Sequence, residues 1–263
     1  MSSFFGQAGR FLPWRRRGDG GSPARDRALP LEVACTAVLG TEVAQLKPGG
    51  VEIRPYHGST PWGSEPCPLW VVDTLLGAVV NVQAPLVEAV EAALAERDPS
   101  EPLLSKQNRA LLLTAALSVT SLCSIWENLN YYTDRDHFVS WAEHRVSPLG
   151  GRNGWQRLAK TQEPVSPEAM TASFGVRVAG RVVSYADVKR RTDLAWSVGV
   201  WTDEPHRNAR LGRAAVSAAT RYVLNAGRIP LYITDKGNAS SMALCQALGY
   251  QKFGEDLYCF RPK

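Results

Sequence analysis

Residues 198–250 string together a strand, a basic turn, a long helix, a second strand and a capped short helix. That order constrains the fold more than any other feature of the chain. Val198-Gly199-Val200-Trp201-Thr202 reads as a strand and Asp203-Glu204-Pro205-His206 as the turn that ends it. Arg207-Asn208-Ala209-Arg210-Leu211-Gly212-Arg213 then opens a helix with apolar or small residues at 211, 214, 215, 218, 219, 222 and 223. Steps of three and four over several turns give one broad buried stripe. Gly227 ends the helix as a C-terminal cap residue. Residues 229–234 form an apolar strand whose start Pro230 places at a sheet edge. Asn238 caps a helix that closes at Gly249, and 251–260 supply the last strand.

Arg207, Arg210 and Arg213 fall at intervals of three where the long helix begins. A helix N-terminus presents unpaired backbone N–H groups and about half a positive charge, so it favours anions and disfavours guanidinium. A bound polyphosphate supplies a reason for a cluster of cations there.

This segment resembles the GNAT superfamily of acyl-CoA-dependent N-acyltransferases, over residues 172–260. That pattern ends a strand in a hydrophobic-x-Thr step and opens a helix with Arg-Gly-x-Gly-x-Gly/Ala. Further on come an Asn and a short helix ending in Leu-Gly-Phe or Leu-Gly-Tyr. Here Arg207 matches the Arg, Gly212 the last Gly, Asn238 the Asn, and Leu248-Gly249-Tyr250 the closing triplet. Asn208 and Arg210 stand where two glycines usually let phosphate approach the backbone. Cys245 stands where many members carry a Tyr that protonates the leaving thiolate.

The resemblance implies an α/β (α+β) fold with a mixed, largely antiparallel sheet flanked by helices. It also implies acetyl-CoA as cosubstrate, with no metal. The backbone of Val198, Gly199 and Val200 would pair with the pantetheine arm, and Arg207, Asn208, Ala209, Arg210, Leu211, Gly212 and Arg213 would surround the diphosphate. Asn238 and Ser241 complete the expected coenzyme contacts, although capping alone explains Asn238. Many relatives carry a Glu on the strand before the turn, but residues 194–201 hold no acid. Of the nearby acids Glu204, Asp187 and Asp193, Glu204 is the expected general base, with a water relay or an already reactive amine as alternatives. Cys245 is read as a proton donor or a small core residue, and Tyr185 as an acid or polar anchor. The reaction implied is acetyl or acyl transfer to a primary amine of a small molecule or peptide. The competing reading is a catalytically degenerate domain that binds acyl-CoA as a sensor or scaffold. The absent loop glycines, Tyr and strand Glu favour that competitor.

Composition bounds the partners. The chain of 263 residues carries a net charge of +5, but residues 1–30 hold six arginines against Asp19 and Asp26, giving +4. The remaining 233 residues carry only +1, which gives no support to specific nucleic-acid binding. The five cysteines are scattered without a Cys-x-x-Cys pair, which fits a reducing cytoplasm better than a disulfide framework or a zinc site. The longest uncharged run, between Arg109 and Glu127, is broken by Thr and Ser and reads as a buried helix, not a membrane span. The oligomeric state, a homodimer among the options, is not encoded in any motif.

Residues 1–28 read as a disordered basic tail, 29–133 as a smaller N-terminal α/β domain and 134–263 as the acyltransferase domain. The N-terminal region resembles the half that precedes the core in a bacterial acyltransferase subgroup. Residues 51–54 alternate as a strand, and 69–74 and 78–82 flank Gly77 as a hairpin. Helices are expected after Pro85 and over 106–120, then a strand over 127–132. Residues 133–172, with His137, Trp141, His144 and Trp155, are expected to supply the first helices of the catalytic domain. On one continuous helix His137 and His144 would share a face. A hairpin turn at Ala179-Gly180 joins strands at 174–178 and 181–185.

Overall fold

The computed structural model describes residues 25–40, 50–55, 67–121, 124–142, 144–149 and 170–260. Trp155, Cys123 and most of the expected tail lie outside them. Helix α1 (Arg25–Leu39) starts four residues inside the stretch expected as tail.

One sheet of ten strands runs through the described residues in the order β1-β3-β2-β10-β4-β9-β8-β7-β6-β5. Its N-terminal part comprises β1 (Val51–Pro55), β2 (Leu69–Thr74) and β3 (Gly77–Val82). The hairpin expected around Gly77 is present, with Thr74 opposite Gly77. Helices α2 (Val87–Ala95) and α3 (Lys106–Val119) follow, the latter capped by the Ser105 hydroxyl, which accepts from the Asn108 amide. Strands β4 (Ser124–Tyr132) and β5 (Val146–Pro148) come next. Then come β6 (Met170–Val178), β7 (Arg181–Arg190) and β8 (Ala195–Thr202). Helix α4 (Leu211–Asn225), β9 (Ile229–Asp235), α5 (Ala239–Gln246) and β10 (Gln251–Phe260) complete the order.

β1·β3 and β8·β9 are parallel pairs and the other pairs are antiparallel. β4 lies on the N-terminal side of the 133/134 division, yet it pairs with both β10 and β9. β2 likewise pairs with β10. The expectation that Pro230 marks a sheet edge is corrected: β9 sits between β8 and β4, and Pro230 lies opposite Trp196 near the strand's start. The ring removes one donor, and its carbonyl still accepts from the Thr133 amide.

Helices cover both faces of the sheet. α4 sets Ala214, Ala215, Val216, Ala219 and Val223, all fully buried, against Val188 and Val198 of the sheet. Burying one side chain of Val size contributes about 1.5–3 kcal/mol, so this stripe holds α4 in place more firmly than its propensity does. α1 packs Cys35, Val38 and Leu39 on the opposite face, with Ala195, Leu231, Tyr132 and Tyr258. Alternation then puts Ser197 and Gly199 of β8, and Asn128 and Asn130 of β4, on the α1 face.

The stretch from 133 to 142 is not helical, contrary to expectation. It runs across α5 and α4, with the Val139 amide donating to the Leu248 carbonyl and the Trp141 amide to the Ser217 hydroxyl. Tertiary hydrogen bonds replace the helical ones, so the two histidines part company. His137 Nδ1 lies 2.7 Å from Asp134 Oδ1, whereas His144 Nε2 donates to the Ala209 carbonyl at 3.0 Å.

Candidate active site

The site starts where two strands separate. β8 and β9 pair from Ala195↔Ile229 to Ser197↔Leu231 and no further, although the strands run on to Thr202 and Asp235. Beyond Leu231, β9 continues its pairing with β4 only. Val198, Gly199 and Val200 keep their bonds to β7 on one side, while among the described residues no strand pairs with their other edge. An edge of unpaired N–H and C=O groups is a template for an extended ligand.

The basic turn and α4 stand at the end of this gap. Arg210 is the N-cap of α4, and its side chain makes no capping bond. The first intrahelical bond runs from the Ala214 amide to the Arg210 carbonyl, so the amides of Leu211, Gly212 and Arg213 precede the ladder. Asn208 and Arg210 both have positive φ, 63° and 59°. The two positions that depart from the glycine pattern thus keep the left-handed backbone that glycine favours. Asn tolerates it well, whereas Arg does so at a cost of about 1–2 kcal/mol. Gly212 serves packing: a Cβ there would lie 3.0 Å from Thr202 Oγ1 and 3.3 Å from Leu244 Cδ1. Its hydrogen lets α4 close onto β8, so a bulky residue at 212 would pry the two elements apart before it met any phosphate.

Arg207 is exposed, and its Nε donates to the Thr202 carbonyl at 3.4 Å. The guanidiniums of Arg210 and Arg213 lie over the Trp141 ring, 5.6 and 4.8 Å from its centroid. Cation–π attraction, about 0.5–1 kcal/mol each, offsets part of their repulsion by the helix terminus. The sequence names Trp141 but carries no signal linking it to the arginines. That link is made by the crossing segment, which also brings His144 to the Ala209 carbonyl.

The remaining expected residues are dispersed. Asn238 Oδ1 accepts from the Ser241 amide and the Ser240 hydroxyl, so it is engaged as the cap of α5. Ser241 Oγ lies 2.8 Å from the Tyr232 hydroxyl. Glu204 is exposed on a single 3-10 turn, and its carbonyl accepts from the Arg207 amide. Tyr185 is buried on β7 beside Trp201, and burial, with Asp187 adding to it, pushes its phenol up to about 12. Cys245 is fully buried with its Sγ donating to the Met242 carbonyl, and burial pushes its thiol up to about 12. A thiol held so far above neutral pH and bonded to its own helix is poorly placed to release a proton. The structure does not bring Glu204, Tyr185 and Cys245 together.

Among the described residues, no cluster of His, Cys, Asp and Glu has a metal-holding arrangement. None of the described helices is long and apolar enough to cross a membrane.

The profile of the acetyltransferase (GNAT) family matches residues 126–250. This stretch of the chain is similar to the GNAT family. The GNAT match starts inside β4, earlier than the two turn-and-helix motifs alone indicate. Solved structures overlap in part. A GNAT-family protein from Novosphingobium aromaticivorans is 20% identical, with 54% of this chain and 67% of that one covered and a TM-score of 0.46. A GCN5-related N-acetyltransferase from Kribbella flavida is 15% identical, with coverages of 58% and 64% and a TM-score of 0.44. A GNAT-family acetyltransferase from Colwellia psychrerythraea is 10% identical, with coverages of 58% and 61% and a TM-score of 0.43. The chain thus spans 61% to 67% of the length of these three proteins. The GNAT assignment rests on the match over 126–250 and gains nothing from superpositions at these scores. No curated protein matches the chain.

Proposed function

We propose that the chain is an acyl-CoA-dependent N-acetyltransferase that moves an acetyl group from acetyl-CoA to a primary amine of a small molecule or peptide. The carrying observation is the unpaired edge of β8 after Ser197, set beside the uncapped start of α4. An extended pantetheine arm fits the first, and a diphosphate fits the second. Arg207, Arg210 and Arg213 add charge to the amides of residues 208–213, and the left-handed backbone at 208 and 210 supports the fit.

In the reaction the amine nitrogen attacks the thioester carbonyl carbon, a C–N bond forms, and the C–S bond breaks. The departing thiolate takes up a proton, and the nitrogen gives one up to solvent or to a base. Positioning the two reactants in the gap supplies much of the acceleration, since alignment removes entropy from the barrier. Backbone amides of β8 facing the gap would stabilise the carbonyl oxygen as charge develops on it.

The dispersal of Glu204, Tyr185 and Cys245 favours the second reading, a domain that binds acyl-CoA without transferring the acyl group. Thiol release from acetyl-CoA over a panel of primary amines separates the two. Amine-dependent release supports the transferase, and tight acetyl-CoA binding with no release above hydrolysis supports the sensor. The scattered cysteines, of which Cys35, Cys67, Cys245 and Cys259 are free, agree with a reducing cytoplasm as the working compartment.

A further inference from the structure

Behind the strand gap, on the α1 face, lies a polar group that the coenzyme reading does not use. Asn130 of β4 is fully buried, and so is nearly all of Asp256 on β10. Asn130 Nδ2 donates to Asp256 Oδ2 at 3.1 Å. The other carboxylate oxygen accepts from Asn128 Nδ2 at 2.8 Å, and the Tyr258 hydroxyl donates to Oδ2 at 3.4 Å. These partners of the carboxylate are two amides and a phenol, none of them a cation. Asn130 Oδ1, at the other end of the amide, is buried with no hydrogen-bond partner. Buried polar atoms are nearly always paired, so an orphaned acceptor calls for an explanation. Its orientation is not arbitrary: turning the amide over would set Oδ1 against a carboxylate oxygen.

We infer that Asn130 binds the acceptor, its Oδ1 taking a hydrogen bond from the N–H of a primary amine, and that Asp256 is the positioning residue that aims it. The inference rests on the transferase reading for its placement. Asn130 lies opposite Ile233 on β9, two residues past the last β8–β9 pair, and shares the α1 face with Gly199 across the gap. One strand therefore separates the acceptor oxygen from the edge where the thioester would lie. Ile233 and Asn128 beside it are half-buried, and Asp235 at the rim is exposed, so the approach is from that side. An amide oxygen backed by a carboxylate selects for donors and for positive charge, and against carboxylate or phosphate groups.

The test compares n-butylamine with 1-butanol by saturation-transfer NMR on wild type, Asn130→Leu and Asp256→Asn, each checked for folding by thermal unfolding. Wild type is expected to bind the amine and not the alcohol, and both variants to lose at least tenfold in amine affinity. In Asp256→Asn the Asn130 amide is free to turn over and present N–H in place of C=O. Should Asn130→Leu fail to fold, Asp256→Asn decides. Amine binding that is unchanged in a folded variant, absent from wild type, or matched by 1-butanol overturns the inference. A parallel titration with acetyl-CoA keeps the readings apart: wild type that takes the amine but not acetyl-CoA sinks the transferase reading and leaves the amine site standing.

Discussion

The guanidinium of Arg213 lies 4.8 Å from the centroid of the Trp141 ring, and that of Arg210 shares the same ring from 5.6 Å. An aromatic side chain from a segment that crosses α4 thus holds two cations at a helix terminus that repels them. Trp141→Leu keeps apolar bulk and removes the face. It should lower stability by roughly 1–2 kcal/mol, the sum of two cation–π contacts, as read from urea midpoints. Trp141→Phe should recover part of the loss.

Arg210 sits at φ 59°, ψ 10°, in the left-handed region. Arg210→Ala and Arg210→Gly both delete the guanidinium, but only glycine is at ease in that backbone. The Gly variant should be more stable than the Ala variant by about 1 kcal/mol in equilibrium unfolding. Equal stabilities would mean that the turn relaxes out of this conformation once the side chain is gone.

A Cβ at Gly249 would lie 1.9 Å from the His137 carbonyl oxygen, and Gly249 has φ 80°. The Leu-Gly-Tyr triplet therefore docks the crossing segment as well as ending α5, with Thr133 Oγ1 donating to the Gly249 carbonyl. Gly249→Ala should cost more than about 2 kcal/mol, because backbone clash and a strained φ add. Gly180→Ala, at a positive φ with nothing near its Cβ, should cost less. Thermal unfolding of the two variants ranks them.

Burial pushes the Asp256 carboxyl from 3.8 up to about 6, against the pull of Asn130, Asn128 and Tyr258. The folded chain then holds this proton more tightly than the unfolded chain does. The stability from this group is full below about pH 4 and is lost as pH rises through about 6, a change of about 3 kcal/mol. Asp256→Asn lacks the titration. From pH 4 to pH 7, wild type should lose about 2 kcal/mol relative to the variant in urea unfolding. Parallel stability curves would contradict the buried acid.

Much of the C-terminal order was readable because its signals are local. The Gly227 cap, the Asn238 cap and the Ala179-Gly180 turn each act within a few residues and appear where expected, whereas the stripe of 211–223 is buried at 211, 214, 215, 219 and 223 but leaves Ala218 half-buried and Tyr222 exposed. Pairing over long sequence distances was not readable. Pro230 suggests an edge because it lacks a donor, yet β4, a hundred residues earlier in the chain, covers β9 on that side. The helices expected over 133–172 rest on the family resemblance and not on any local signal, and over 133–142 backbone amides instead donate to Leu248 and Ser217, at α5's end and on α4. The basic turn over 207–213 was legible as a charge pattern. Asn130 and Asp256 were not, since only the register of β4 against β10 puts them together.

Binding of acetyl-CoA against S-acetylpantetheine, by calorimetry on the whole chain, tests the polyphosphate cradle most directly. The two share the thioester and the arm that would lie along β8, and differ in the diphosphate and nucleotide that would meet residues 207–213. The account predicts that acetyl-CoA binds at least about 100-fold more tightly, the scale of two charge-assisted hydrogen bonds. Equal affinities, or no binding of acetyl-CoA, would contradict it.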